Sequence, residues 1–191
     1  MGVQAEVVHV FVLIGASGDL ARKKIYPTLF QLYKKELLPK NLAIIGYSRA
    51  DVSLSHIRKR CVIDISSDEE ETYEKFWLIN FFIKGSYENE RDFEFLNHYI
   101  YKTVSKRTNR LFYLALPPTL FEVVTSNIKR NCMQKGSVDW TRVIVEKPFG
   151  KDSESAAKLF KHLASLFKQE EVYLIDHYLG KEMVENIIYL R

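Results

Sequence analysis

Residues 7–14 read VVHVFVLI, and the next seven, residues 15–21, read GASGDLA. The first stretch is β-branched and apolar almost throughout, which predicts a strand covered on both faces. A glycine turn that follows such a strand and opens a helix brings backbone N–H groups close to a ligand phosphate. The spacing is G-x-x-G-x-x-A rather than G-x-G-x-x-G, so a glycine turn without a nucleotide is the alternative. No Gly-Lys-Ser/Thr follows, which excludes a P-loop.

Further apolar runs alternate with segments of helical periodicity. They predict strands at residues 42–47, 111–116, 143–145 and 172–175, with a sixth strand expected at 81–83. Three helices are predicted from their apolar faces, which are formed by Leu29, Leu32 and Tyr33, by Phe121, Val124 and Ile128, and by Ala157, Phe160, Leu163, Ala164 and Phe167. Strands separated by helices imply right-handed crossovers. The predicted fold class is α/β, a doubly wound parallel sheet.

Local signals refine these helices. Pro27 should kink or interrupt the first one, and Asp152 or Ser153 is a credible N-cap for the third. The acidic residues 68–71 either open a helix that runs through Tyr73, Phe76 and Trp77 or form a solvated charge run, and the solvated run is favoured.

Residues 1–175 are predicted to form a dinucleotide-binding domain and residues 176–191 to begin a second domain. Residues 182–191 have a helical pattern that stays apolar to its last turn without a stop signal. We therefore expect the chain to be a fragment whose next segment covers that helix.

The chain has 191 residues, of which 47% are apolar and 27% charged, which excludes disorder as the main state. No apolar run is long enough for a membrane helix, and residues 1–10 do not resemble a secretory leader. Cys61 and Cys132 match neither a disulfide framework nor a metal site. These features predict a cytoplasmic protein in a reducing compartment. The net charge of +4 mildly favours an anionic ligand.

Residues 46–49, GYSR, end the second predicted strand. In this fold the residue after that strand faces the adenosine ribose of a dinucleotide. An arginine there suits a 2′-phosphate, whereas a carboxylate suits a free hydroxyl. Arg49 therefore predicts NADP rather than NAD, with a solvated surface arginine as the alternative. Arg49 lies 31 residues after Gly18, beyond the usual spacing of about 20, so the first helical region should be extended.

Five blocks of the sequence follow one another in an order that one family shares. They are residues 15–21 (GASGDLA), 46–49 (GYSR), 114–118 (LALPP), 146–150 (EKPFG) and 175–182 (IDHYLGKE). These blocks resemble the N-terminal, coenzyme-binding half of the glucose-6-phosphate dehydrogenase family. The resemblance covers nearly the whole chain and is loosest over residues 51–110.

The resemblance implies oxidation of glucose 6-phosphate at C1 by NADP, giving 6-phosphogluconolactone and NADPH in the oxidative pentose phosphate pathway. It assigns cofactor binding to Gly15, Ala16, Ser17, Gly18, Asp19, Leu20, Ala21, Arg22, Arg49, Tyr113 and Lys147. It assigns substrate binding to Lys147, His177, Tyr178, Leu179, Gly180 and Lys181. Lys147 would lie between nicotinamide and sugar as a catalytic residue, and Asp176 resembles the carboxylate that orients the family's catalytic histidine.

Residue chemistry agrees with two of these roles. His177 and Lys181 are four residues apart and would share a helix face, where they suit a phosphate dianion. Lys147 precedes Pro148, which favours an extended backbone at a strand's carboxyl end. A surface helix and an ordinary Lys-Pro turn are the alternatives.

Two departures from the family stand out. Leu174 replaces an arginine usual before Ile-Asp-His-Tyr, which should weaken the electrostatics near the substrate phosphate. None of the five histidines occupies the place of the family's general base, and His9, His56, His98 and His162 show no ligand spacing. The resemblance also implies a further antiparallel α+β domain, which would complete the sugar pocket and form a homo-oligomer interface. This fragment is therefore expected to bind cofactor with little or no turnover.

Two other functions remain as alternatives. A non-catalytic NADP-binding sensor or scaffold would need no general base. Nucleic-acid binding would use residues 58–60 and the pair Lys34 and Lys35, but these lack interleaved aromatic residues and the net charge is modest. We therefore expect no nucleic-acid partner and no membrane partner.

Overall fold

The computed structural model describes residues 7–134 and 139–175, which form a six-stranded parallel sheet with helices on both faces. The strands are β1 (Val8–Ile14), β2 (Leu42–Ser48), β3 (Asn80–Lys84), β4 (Thr108–Leu114), β5 (Thr141–Glu146) and β6 (Val172–Ile175). The α-helices are α1 (Tyr26–Lys34), α2 (Leu54–Arg60), α3 (Glu70–Leu78), α4 (Glu90–Tyr99), α5 (Phe121–Asn131) and α6 (Ser153–Leu166). Every helix within these ranges is too short or too polar to cross a membrane.

The strand order is β3-β2-β1-β4-β5-β6, which is the order of a doubly wound dinucleotide-binding sheet. The chain moves outward from β1 to β3 and then returns to the other side of β1 to place β4. In this arrangement Ile14 lies opposite both Tyr47 of β2 and Leu114 of β4. The direction therefore reverses between β1 and β4, where such sheets form a crevice at their carboxyl edge.

Two apolar clusters sandwich the sheet. On one face, α4, α5 and α6 cover the side chains of Val12, Phe112 and Val143. On the other face, α1, α2 and α3 cover Leu13 and Ile44. The prediction of a doubly wound sheet, covered on both sides, is confirmed.

The predicted strands are all present, including the sixth one at β3. Two strands need corrected bounds. β4 is predicted at residues 111–116 but begins at Thr108 and ends at Leu114, and β5 is predicted at residues 143–145 but runs from Thr141 to Glu146. Thr108 and Arg110 of β4 are polar yet buried, so an apolar run does not mark them. Arg110 is only 2% exposed, and its guanidinium donates to Thr108 Oγ1 (2.9 Å) and to the carbonyl of Cys132 (2.9 Å).

The first helix is irregular on the N-terminal side of Pro27, as predicted. Residues Ala21–Ile25 form a π-helical segment, and the N–H of Tyr26 bonds to the carbonyl of Ala21, five residues back. Pro27 then lies in the first turn of α1, where its missing N–H is tolerated. The irregular helix extends the region between the glycine turn and β2.

The preferred interpretation of residues 68–71 as a solvated charge run is wrong. Ser66 and Glu69 form a capping box before α3, and Glu69 also pairs with Lys34. The helix buries Phe76 and Trp77 against the sheet. The acidic residues are favourable at this helix start because they meet the positive end of its dipole.

Helix α6 begins as predicted, with Asp152 as the N-cap accepting from the N–H of Ser155 at 2.8 Å. The predicted buried face is partly wrong. The residues that are buried are Leu159, Leu163 and Phe167, whereas Ala157, Phe160 and Ala164 are exposed. Leu159 is four residues before Leu163 and lies on the same helix face, so the buried face of α6 passes through Leu159 rather than through Phe160.

Truncating a core aromatic residue should strongly destabilise the sheet. Phe112→Ala removes a fully buried ring of β4 and should lower the free energy of unfolding by about 3–5 kcal/mol. The control is Phe95→Ala in α4. Phe95 is 56% exposed, so this substitution should change the free energy of unfolding by less than about 0.5 kcal/mol. Denaturant unfolding of both variants measures the difference. Equal losses would contradict the assigned core.

Candidate functional site

The glycine turn lies directly beyond β1 and is fixed to the neighbouring strand. The N–H groups of Gly15 and Ala16 both donate to the carbonyl of Tyr47 in β2, at 2.8 and 3.2 Å. Gly15 has a φ of +94°, and a Cβ there would overlap the carbonyl of Ala115. The N–H of Gly18 then closes the turn on the carbonyl of Gly15 at 2.9 Å. A glycine at position 15 is therefore required by both conformation and space.

The turn opens into the first helix with exposed backbone. Ser17 is half-buried, Gly18 and Asp19 are exposed, and the first N–H groups of a helix have no acceptor within it. Ala16 and Ala21 are fully buried, so their side chains pack the core, and the Ala16 N–H is already bonded to the Tyr47 carbonyl. This arrangement fits a diphosphate at the helix N-terminus.

Two basic side chains follow the turn and face Asp19. Arg22 and Lys23 both pair with the Asp19 carboxylate, and their hydrogen bonds and charges hold its pKa below the usual value. Arg22 is half-buried and Leu20 partly buried beside it. Arg22 and Lys23 together carry one positive charge more than Asp19 neutralises, which suits an anionic ligand.

Arg49 follows β2 and projects from the same edge of the sheet. It is exposed, and its guanidinium carbon lies 5.0 Å from the centre of the Tyr87 ring. Ser48 ends the strand fully buried, and its hydroxyl accepts from the N–H of Ala50 at 3.3 Å. Since Tyr47 holds the glycine turn, Arg49 is attached only two residues from that anchor.

The carboxyl ends of β4 and β5 carry the remaining described candidates. The hydroxyl of Tyr113 donates to Glu146 Oε2 at 2.9 Å, and both residues are buried. Burial, reinforced by the Glu146 carboxylate, raises the pKa of Tyr113 far above its usual value. Lys147 comes next along the chain, exposed, with its N–H bonded to the carbonyl of Ile175 at 3.1 Å. Its peptide bond to Pro148 is cis.

The structure therefore brings the described candidates to one edge of the sheet. In order across that edge they are Arg49 after β2, residues 15–22 after β1, Tyr113 near the end of β4, and Lys147 after β5. The remaining candidates lie outside the described residues, namely Asp176, His177, Tyr178, Leu179, Gly180 and Lys181.

Two residues of this edge were missed in the sequence. Glu146 precedes Lys147 in a quoted block, but its burial and its bond to Tyr113 depend on two strands meeting. Tyr87 lies in the segment between β3 and α4, where the sequence carried the weakest signals. Its stacking with Arg49 depends on the position of that segment beside β2.

A separate apolar groove of about 410 Å³ lies between α6 and β6. It is lined mainly by apolar side chains such as Phe160, Ala164 and Leu174. A groove of this chemistry suits packing rather than a charged dinucleotide. The polar residues at the carboxyl edge are therefore the better candidate site.

Two of the five basic residues considered for nucleic acid, Lys34 and Arg58, are engaged within the protein. Arg58 forms a bidentate pair with Glu74 and stacks on Tyr73, and Lys34 pairs with Glu69. Within residues 7–134 and 139–175, no three His, Cys, Asp or Glu side chains are grouped to hold a metal ion. These observations favour the sheet edge over a basic surface as the ligand site.

The sequence of this chain is similar to those of known proteins. Residues 12–186 match the family described as glucose-6-phosphate dehydrogenase, NAD binding domain. Glucose-6-phosphate 1-dehydrogenase of Drosophila melanogaster is 47% identical over 189 residues, which are 97% of this chain and 36% of the relative. The Caenorhabditis elegans protein of the same name is 45% identical over 194 residues, covering 97% of this chain and 37% of the relative.

Solved structures share the fold. A glucose-6-phosphate dehydrogenase in complex with its substrate glucose-6-phosphate matches with a TM-score of 0.84 and 36% identity, covering 100% of this chain and 41% of that chain. Glucose-6-phosphate 1-dehydrogenase from Mycobacterium avium matches with a TM-score of 0.77 and 29% identity, covering 97% of this chain and 39% of the other. The chain thus spans little more than a third of its curated relatives.

Replacing Gly15 should disrupt the turn more than replacing Gly18. Gly15→Ala places a Cβ on a left-handed φ and against the Ala115 carbonyl, so the free energy of unfolding should fall by more than about 1 kcal/mol. Gly18→Ala should cost less, because its nearest new contact is the Gly15 carbonyl oxygen at 3.2 Å. Denaturant unfolding compares the two. An equal or larger loss for Gly18→Ala would contradict the geometry.

Proposed function

The chain belongs to the glucose-6-phosphate dehydrogenase family, and we propose that it is the NADP-binding part of an enzyme that oxidises glucose 6-phosphate at C1 to 6-phosphogluconolactone. Residues 1–175 form the dinucleotide-binding domain in this proposal, and residues 176–191 begin the substrate domain. The activity, the substrate and the oligomer belong to the whole protein, of which this chain covers about a third.

One observation carries the cofactor assignment. The glycine turn is joined to β2, the strand that Arg49 follows, through the Tyr47 carbonyl, which accepts from the N–H groups of both Gly15 and Ala16. A dinucleotide has its diphosphate and its adenosine ribose a short distance apart. The turn would bind the diphosphate through its backbone N–H groups other than those of Gly15, Ala16 and Gly18, which are bonded within the protein. Arg49 would bind the 2′-phosphate through its guanidinium. This pairing supports NADP over NAD.

The other end of the edge suits the reacting groups. Bound NADP would supply the hydride acceptor. Tyr113 and Glu146 form a buried hydrogen-bonded pair at this end, and the exposed Lys147 directly follows Glu146 in the chain. We propose that Lys147 orients cofactor and sugar together. His177, Tyr178 and Lys181 would hold the sugar phosphate, and Asp176 would orient the general base, a histidine outside these 191 residues.

We place the protein in the cytoplasm, a reducing compartment, because Cys61 and Cys132 are both free thiols. We propose that the whole protein assembles as a homo-oligomer through its further α+β domain.

The alternative function is that of a sensor, which would bind NADP without catalysis. It would explain the glycine turn and Arg49, but it gives no reason for Lys147 beside the Tyr113–Glu146 pair. The two functions differ in whether a sugar phosphate binds.

Removing Arg49 tests the cofactor assignment. Arg49→Ala should weaken NADP binding roughly 10- to 100-fold, because charge-assisted hydrogen bonds to the 2′-phosphate are lost, and NAD binding by less than about twofold. The control is Arg58→Ala, which removes another tyrosine-stacked arginine and should leave both affinities unchanged. Titration calorimetry measures the affinity of each variant, and of the unsubstituted chain, for NADP and for NAD. An equal loss for NADP and NAD would exclude Arg49 from the 2′-phosphate site.

Turnover separates enzyme from sensor. The 191-residue chain should bind NADP but form no measurable NADPH with glucose 6-phosphate, since the general base lies elsewhere. A longer native protein that contains it should bind glucose 6-phosphate saturably and reduce NADP, as followed by absorbance of NADPH. Lys147→Met in that protein should reduce kcat at least about 100-fold. Absence of a saturable sugar-phosphate site would support the sensor instead.

A further inference from the structure

Tyr87 lies in the segment between β3 and α4, against the end of β2. Its side chain is only 5% exposed and packs on Tyr47, with the ring centres 6.1 Å apart. The guanidinium carbon of the exposed Arg49 lies 5.0 Å from the centre of the Tyr87 ring, within the range of a cation–π interaction. A long flexible side chain is therefore held against a ring that is itself fixed in the core.

Backbone contacts fix the segment that carries this ring. The N–H of Gly85 donates to the carbonyl of Ser48 at 3.0 Å, which continues the pairing of β3 with β2. The hydroxyl of Tyr47 donates to the carbonyl of Ser86 at 2.6 Å, and the N–H of Ser86 donates to Asp92 Oδ2 at 2.7 Å. The segment is thus tied both to the strand before Arg49 and to the helix that follows.

Tyr87 itself is anchored as well. The side-chain amide of Asn127, a buried residue of α5, donates to the Tyr87 carbonyl at 3.2 Å. A Cβ at Gly85 would overlap the ring of Tyr47, so the segment lies in direct contact with β2. The backbone of Tyr87 has little freedom to move away from Arg49.

The guanidinium of Arg49 keeps its donors available. Among the residues that the structure describes, Arg49 forms no ion pair with a carboxylate. The nearby acid in sequence, Asp51, pairs instead with Lys84 at 3.0 Å. The contact with the Tyr87 ring engages no acceptor, so the N–H groups of the guanidinium can still donate to an anion.

We infer that Tyr87 is the positioning residue for Arg49 and, through it, a determinant of the preference for a dinucleotide that carries a 2′-phosphate. The inference rests on the proposed function. Arginine has many rotamers to lose on binding, and a side chain already held in place loses fewer. Tyr87 thus favours NADP without contributing a hydrogen bond to the phosphate.

The first comparison uses four ligands and three substitutions in the full chain. NADP and 2′,5′-ADP carry the 2′-phosphate, whereas NAD and 5′-ADP lack it. Tyr87→Leu removes the ring, and Tyr87→Phe keeps the ring without its hydroxyl. Tyr73→Leu is the matched control, because Tyr73 lies under Arg58 at 4.8 Å in the same kind of contact away from the site. Titration calorimetry measures each affinity.

Tyr87→Leu should weaken NADP and 2′,5′-ADP about three- to tenfold and NAD and 5′-ADP less than about twofold. Tyr87→Phe should stay within about twofold of the unsubstituted chain for all four ligands, and Tyr73→Leu should change none of them. In an Arg49→Ala background, Tyr87→Leu should cause no further loss of preference for NADP, because both act through one guanidinium.

An equal loss of NADP and NAD in Tyr87→Leu would overturn the inference, as would an equally large loss in Tyr87→Phe. Arg49→Lys tests the same contact without changing Tyr87, should Tyr87→Leu not fold. It keeps the charge but not the flat guanidinium, and should weaken NADP at least about threefold with NAD unchanged. Unchanged NADP affinity in Arg49→Lys would overturn the inference too. If the unsubstituted chain binds neither dinucleotide, the proposed function fails with it.

Discussion

The carbonyl of Tyr47 accepts hydrogen bonds from the N–H groups of both Gly15 and Ala16, and the rest of the sheet edge is built around that acceptor. It fixes the turn after β1 to the end of β2. On the other side, the N–H of Ala115 donates to the Ile14 carbonyl at 2.9 Å and brings in the end of β4. Three strand ends can approach this closely only because Gly15 has no Cβ and adopts a left-handed φ.

The edge changes character from one end to the other. Arg49 is exposed at one end, where water screens its charge, whereas Tyr113 and Glu146 share a hydrogen bond in the buried interior at the other. Ionic attraction is weaker at an exposed site, so geometry must supply much of the discrimination there. At the buried end polar groups interact strongly, and a misplaced one is costly. The exposed end at Arg49 therefore suits ligand recognition, and the buried end at Tyr113 and Glu146 suits the positioning of reacting groups.

Most of the sheet could be predicted from the sequence, because a strand covered on both faces is a short continuous apolar run. Failures came where burial and polarity disagree. The sequence does not reveal the start of β4, because Arg110 is buried although it is charged. Its guanidinium is surrounded by hydrogen-bond acceptors instead of apolar side chains. The acidic start of α3 resembles solvated surface, although its cap and its buried Phe76 make it a helix. In α6 two apolar stripes compete, and packing selects the one through Leu159.

In the candidate site, residues of contiguous motifs were easier to predict than contacts between residues that are distant in the chain. For motifs that are contiguous in the chain, such as residues 15–21 and Lys147, the position at the carboxyl edge of the sheet was predictable, because each directly follows a predicted strand. Tyr87 is 38 residues beyond Arg49, and no local pattern links the two. Their contact follows from the register of two parallel strands, in which Ser48 lies opposite Lys84. With that register, the residues just beyond each strand meet above the sheet edge, and an aromatic residue three positions past Lys84 reaches the arginine one position past Ser48. Only the pairing of β2 with β3, which the sequence indicated as a sixth strand without its register, determines which side chain supports Arg49.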